Sequence, residues 1–168
     1  MNEGSKLEEI VNSVEHLVKG MRILDVGTGF GTVMSRLLQH PEYSVVTVDP
    51  EAWVFDKIEK EYALDLKSGR LKLVRSKAED LPFEDQSFDS SLAVCSLHHL
   101  NDPVKGLIEM ERVTSGRIIV TDWDVGSSGS HNPHSPEHLG RIKGAILSYA
   151  GKNGYEIREM GNWYLVYR

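Results

Sequence analysis

Ile23-Leu24-Asp25-Val26-Gly27-Thr28-Gly29-Phe30-Gly31 runs an apolar, strand-like segment into three glycines spaced two apart. Glycine lets a backbone turn tightly and approach a ligand with no Cβ in the way. The junction therefore reads as the first strand, loop and helix of a nucleotide-type binding fold. A dinucleotide fingerprint G-x-G-x-x-G would place its third glycine at position 32, but Thr32 stands there and the glycine comes one residue early, at Gly31. Asp25 sits two residues before the first glycine, where a carboxylate repels a pyrophosphate and can accept from a ligand ammonium group. Register and charge both count against a nicotinamide dinucleotide and point to a cationic ligand.

The rest of the chain alternates strands and helices. Apolar residues at three- and four-residue spacing predict an amphipathic helix over about 5–19, ended by Gly20. Strands are predicted at 22–26, 44–48, 71–75, 88–95 and 117–122, with helices at 31–39, 51–66, 104–113 and 137–151 between or after them. This rhythm predicts an α/β fold with a doubly wound, mostly parallel sheet and helices on both faces. Strands at 155–160 and 163–167 are separated by Gly161-Asn162, a two-residue turn, and should form a C-terminal antiparallel hairpin. With 168 residues, no internal repeat and no linker, one domain over 1–168 is expected: an N-terminal helix, a ligand-binding half over 21–122 and a tail over 123–168.

Ligands of such sheets lie at the carboxyl ends of the strands. Asp49-Pro50 ends the second strand, 18 residues beyond Gly31, about where an acidic residue takes two hydrogen bonds from ribose hydroxyls. Ser76-Lys77-Ala78-Glu79-Asp80-Leu81-Pro82-Phe83 follows the third strand, with Ser87-Phe88-Asp89 beyond it. Cys95-Ser96-Leu97-His98-His99-Leu100-Asn101-Asp102-Pro103 follows the fourth. Together with the glycine block, these segments resemble the motifs of class I S-adenosylmethionine (SAM) methyltransferases of the type 11, ubiquinone-biosynthesis-like group, from about Ile23 to Asp122. The resemblance implies a seven-stranded sheet in the order 3-2-1-4-5-7-6 and SAM as cofactor, released as S-adenosylhomocysteine. It places Gly27, Thr28, Gly29 and Gly31 under the methionine part, Asp25 near its amino group, and the backbone of Cys95 and Ser96 facing the same end. It places adenine against Lys77, Ala78 and Glu79. The family usually carries a carboxylate where Lys77 stands, and lysine, which only donates, cannot accept from the adenine amino group. Either Glu79 substitutes or that bond is missing.

A net charge of −6 disfavours a nucleic-acid surface, and the fourth strand end lacks the Asn/Asp-Pro-Pro-aromatic run that usually accompanies methylation of exocyclic amines. A small-molecule acceptor is expected. No apolar run long enough to span a membrane and no basic leader are visible, so a cytoplasmic location is expected, in keeping with one cysteine, Cys95. His99, Asp122, His131 and His134 are the candidates for a general base. Adjacent residues of an extended chain point opposite ways, so at most one of His98 and His99 should face the ligand. His131, His134 and His138 form an H-x-x-H-x-x-x-H pattern, but two of them lie in a Gly/Pro loop and no cysteine assists, so no metal is expected. Lys77 and the scant cover over the acceptor side also suit an alternative, a SAM-binding or regulatory module that has lost turnover.

Overall fold

A computed structural model describes residues 3–130 and 132–168. Seven strands, β1 (Arg22–Val26), β2 (Ser44–Asp49), β3 (Leu71–Arg75), β4 (Phe88–Val94), β5 (Thr114–Trp123), β6 (Glu156–Glu159) and β7 (Trp163–Tyr167), form one sheet in the order β3-β2-β1-β4-β5-β7-β6. The first five are parallel, and β7 runs antiparallel to both β5 and β6. Order and direction are those expected. Six helices cover the sheet: α1 (Glu3–Val14), α2 (Thr32–Leu37), α3 (Phe55–Glu61), α4 (Ala63–Ser68), α5 (Pro103–Val113) and α6 (Pro136–Lys152).

Strand alternation divides the core in two. Ile23, Leu92, Ile119 and Leu165 pack with Ile10, Val14, Met34 and Leu37 of α1 and α2. Their sequence neighbours Leu24, Ala93, Val120 and Val166 pack with Leu107, Met110, Ile142 and Ile146 of α5 and α6. Each such fully buried aliphatic side chain contributes roughly 1.5–3 kcal/mol of burial. Because both faces are covered, the strands read as continuous apolar runs, which is why they were legible without strict alternation.

Three departures from the sequence reading have local causes. The single helix expected over 51–66 is a turn of 3₁₀ helix (Ala52–Val54) followed by α3 and α4, with Tyr62 at φ −114°, ψ 28° between them and packed against the core. Strand β5 begins three residues earlier than expected, directly after α5, because Gly116 lets the chain pass tight against the Asp89 carbonyl: a Cβ there would lie 2.4 Å from that oxygen. Strand β4 ends at Val94 rather than Cys95, since Cys95 takes φ +53°, a left-handed conformation rare outside glycine, and turns the chain into a 3₁₀ turn over Leu97–His99. At the other end of the sheet the hairpin closes as expected, with the Met160 amide donating to the Trp163 carbonyl across Gly161-Asn162.

Helices α5 and α6 start on matched signals. Asp102 caps α5 by accepting from the Lys105 amide at 2.9 Å, Ser135 caps α6 by accepting from the His138 amide at 3.2 Å, and a proline follows each cap. The α6 cap fixes His138 at the start of the helix, beside the carboxyl ends of β4 and β5.

Candidate functional site

A cavity of about 640 Å³ opens along the carboxyl ends of β1 to β5, within the size range of small-ligand sites. The glycine loop forms its floor. Gly27 and Thr28 donate to the Val48 carbonyl at 2.9 and 3.0 Å, and the Gly31 amide closes back on the Thr28 carbonyl at 2.8 Å. Gly27 sits at φ +95°, and a Cβ there would lie 2.4 Å from the Ser96 Cβ, so glycine is required on both counts. At Gly29 an added Cβ would meet nothing within 4 Å, so the ligand side of the loop is open.

Asp49 stands partly exposed at the rim. Its Oδ2 accepts from the Gly29 amide at 3.1 Å and its Oδ1 from the Glu51 amide at 2.9 Å. The carboxylate is thereby fixed between the end of β2 and the loop, with lone pairs left for further donors. Of the twelve residues expected to hold the cofactor, Gly27, Thr28, Gly29, Asp49, Pro50, Lys77, Ala78, Glu79, Cys95 and Ser96 line this cavity; Asp25 and Gly31 do not.

Asp25 lies behind the loop with no exposure. Its Oδ2 accepts from the Thr47 hydroxyl at 2.8 Å, Thr47 pairs with the Thr28 hydroxyl at 2.7 Å, and its Oδ1 has no partner among the described residues. Burial, opposed by the Thr47 bond and reinforced by Asp49, pushes its pKa up to about 7. The side chain thus supports the loop from beneath through two threonines and does not line the cavity.

On the far wall, helix α5 holds the segment after β3. The Arg112 guanidinium donates to the Leu81 carbonyl at 2.9 Å, the Phe83 carbonyl at 2.7 Å and the carboxylates of Asp85 and Glu109, while Glu109 accepts from the Leu81 amide at 2.9 Å. Ala78 is buried here, Lys77 is exposed, and the Glu79 carboxylate stands 3.5 Å from the Asp102 amide.

The β4–β5 end of the cavity carries imidazoles. Because Leu97–His99 is a 3₁₀ turn rather than extended chain, His98 and His99 do not point apart: their ring centroids are 4.0 Å from each other and both line the cavity. His134 stands 5.0 and 5.2 Å from those two rings and stacks on His138 at 4.9 Å. Asp122 is fully buried and does not reach the cavity. Its carboxylate accepts from His98 Nδ1 at 2.6 Å and from the backbone amides of His98 and Trp123, each at 2.8 Å. Loss of water around the ring, then the neighbouring His98 and His134, holds His99 down at about 4, and burial followed by His98 and His138 lowers His134. Proton acceptors work best when poised near the operating pH, so the lowered His99 makes a weak general base at neutrality. His131, the fourth candidate, lies outside the described residues.

Trp53 and Leu7 are cavity residues that the sequence reading did not single out. Leu7 comes from α1, whose docking place no local pattern records.

A methyltransferase domain model matches residues 24–120. The chain belongs to the SAM-dependent methyltransferase family. A demethylmenaquinone methyltransferase of Renibacterium salmoninarum is 29% identical over 165 residues, covering 91% of this chain and 62% of that protein. An uncharacterized methyltransferase of Schizosaccharomyces pombe is 36% identical over 158 residues, covering 89% of this chain and 57% of the other. A crystal structure of a SAM-dependent methyltransferase from Aquifex aeolicus shares the fold with a TM-score of 0.73 at 19% identity, covering 99% of this chain and 97% of that one. The chain spans about half the length of the curated relatives it matches. In this methyltransferase domain the residues present fit the family's cofactor: an open glycine cradle, a fixed rim carboxylate and a cavity of nucleoside size lie on one line of strand ends. No helix among the described residues is long and apolar enough to cross a membrane.

Proposed function

We propose that this chain transfers a methyl group from SAM to a small, largely apolar acceptor. The observation that carries the reading is the alignment of the glycine loop, the Asp49 carboxylate and the Lys77–Glu79 segment along one cavity whose β4–β5 end is walled by imidazoles and Trp123. SAM, when bound, supplies a methyl group already activated on a sulfonium. Gly27 to Gly29 would carry the amino-acid end, with Asp25 acting through Thr47 and Thr28 rather than by contact. Asp49 would accept from the ribose hydroxyls, and the Ala78 backbone with Glu79 would meet the purine.

The rest of the work is positioning. Holding a nucleophile about 3 Å from the methyl carbon and in line supplies several kcal/mol with no further catalytic group. Leu7, Phe30, Trp123 and Pro133 add apolar surface to the cavity lining. A small acceptor agrees with the net charge of −6 and with the demethylmenaquinone substrate named for one relative.

Calorimetric titration with SAM, S-adenosylhomocysteine and NAD tests the cofactor half: the two sulfur nucleosides should bind and NAD should not. Release of S-adenosylhomocysteine with a panel of quinols, phenols and sterols tests the reaction. Tight nucleoside binding with no turnover on any acceptor favours the second reading, a SAM-binding module, which the donor-only Lys77 in the adenine wall supports.

A further inference from the structure

Seven histidines are present, and four of them converge on one end of the cavity. Two of the four are fixed by polar partners. His98 has its Nδ1 on the buried Asp122 carboxylate at 2.6 Å, which leaves Nε2 as the nitrogen with a lone pair toward the cavity. His138 places Nε2 2.8 Å from the His98 carbonyl, and Arg141 approaches its Nδ1 at 3.5 Å. A guanidinium can only donate and a carbonyl can only accept, so His138 is the Nε2–H tautomer and is fully engaged. The rings of His99 and His134 are held by no hydrogen bond among the described residues. The backbone of His134 is nevertheless pinned: its amide donates to Asn132 Oδ1 at 2.8 Å and its carbonyl accepts from the Ser128 hydroxyl at 2.8 Å.

We propose that His98, His99 and His134 form a binding site for one divalent transition-metal ion in the cavity wall. Each residue offers one ligand nitrogen, and these nitrogens lie within 4.8 Å of one another. Ligands about 2.0–2.1 Å from a tetrahedral ion sit about 3.3 Å apart, so the trio must close by roughly 1.5 Å, a movement open to the two unheld rings. The carboxylate behind His98 is the outer partner that metal-bound histidines characteristically have, fixing tautomer and ring direction together. Among the described residues no fourth protein ligand joins the three imidazoles, which leaves a coordination position open. All three line the cavity, so that position faces the ligand. The set differs from the H-x-x-H-x-x-x-H pattern of the sequence: His138 is engaged elsewhere, and His98 and His99 enter only because the chain turns at Cys95. The site stands without the methyl-transfer reading and rests on it in one respect, the assignment of the open position to an oxygen of the acceptor.

The test uses tag-free, full-length protein stripped with a chelator and titrated with Co²⁺, followed by visible absorption, with Zn²⁺ in competition. One Co²⁺ per chain should bind with the strong visible bands of a low-coordinate site and be displaced by one Zn²⁺. Asp122→Asn should weaken binding roughly 10–100-fold, the usual cost of losing an outer partner, and His99→Ala or His134→Ala should weaken it further. His16→Ala, on an exposed histidine remote in sequence from the cluster, should leave it unchanged. Far-UV circular dichroism of each variant separates lost ligation from lost folding. Stoichiometric uptake by the wild type that is no tighter than uptake by a folded His99→Ala/His134→Ala double variant overturns the proposal, as does no uptake at all. S-adenosylhomocysteine affinity measured on the same stripped protein keeps the two readings apart, since nucleoside binding without metal binding refutes only this one.

Discussion

Asp25→Asn replaces a buried carboxyl that has one hydrogen-bond partner and a second oxygen with none. Burial raises its pKa from the ordinary 3.8 to about 7 in the folded chain. An unfolded chain releases this proton near 3.8, so between 3.8 and 7 the folded state holds a proton that the unfolded state has lost, and stability falls as pH rises through that window. At about 1.36 kcal/mol per pH unit the loss reaches about 4 kcal/mol and is complete above 7. Asparagine does not titrate. Its Oδ1 can keep the Thr47 bond while its amide faces the unpartnered side, a constant cost of about 1–3 kcal/mol. The stability of the variant minus that of the wild type should therefore be negative at pH 4 and climb by about 4 kcal/mol by pH 8, making the variant the more stable chain at neutrality. Urea unfolding followed by far-UV circular dichroism at pH 4, 5, 6, 7 and 8, with slopes compared to confirm equal surface exposure, measures that difference. A difference that stays constant across the range would refute the burial argument, and with it the indirect role given to Asp25.

Asp49→Ala removes a fixed acceptor at the rim and should weaken S-adenosylhomocysteine binding about 10–100-fold by calorimetry, the worth of one to two charge-assisted bonds, while the ligand-free melting temperature changes little. Lys77→Asp restores an acceptor to the adenine wall and should tighten the same ligand about 10-fold; an unchanged affinity would mean that Glu79 already fills the role. Arg112→Met strips the Leu81 and Phe83 carbonyls of their donor and should cost about 2 kcal/mol of stability in urea, with a parallel loss of nucleoside affinity.

The sheet was legible because its strands are buried on both faces and bounded by turn residues: β1, β3 and β7 begin and end where the apolar runs do. The break at Tyr62 was not, since neither proline nor glycine marks it and a core contact decides it. For the site, the glycine loop and Asp49 announce themselves by spacing along a single strand and loop. The burial of Asp25 was not legible because its surroundings depend on Thr47, its register partner on β2, and a pairing between strands is not written in either one. The histidines misled for a related reason: the rule that neighbours point apart assumes extended backbone, and one residue, Cys95 at φ +53°, ends that condition just before His98.

Arg112 belongs to α5, yet its side chain determines the shape of the segment after β3 that should face the purine. The surface expected to read the base is thus shaped from a helix on the back of the sheet, by a residue that does not line the cavity. Redesign toward altered nucleosides should begin at Glu109 and Arg112, where a change of length or charge would re-set Leu81 and Phe83 as a unit, rather than at the exposed Lys77 alone.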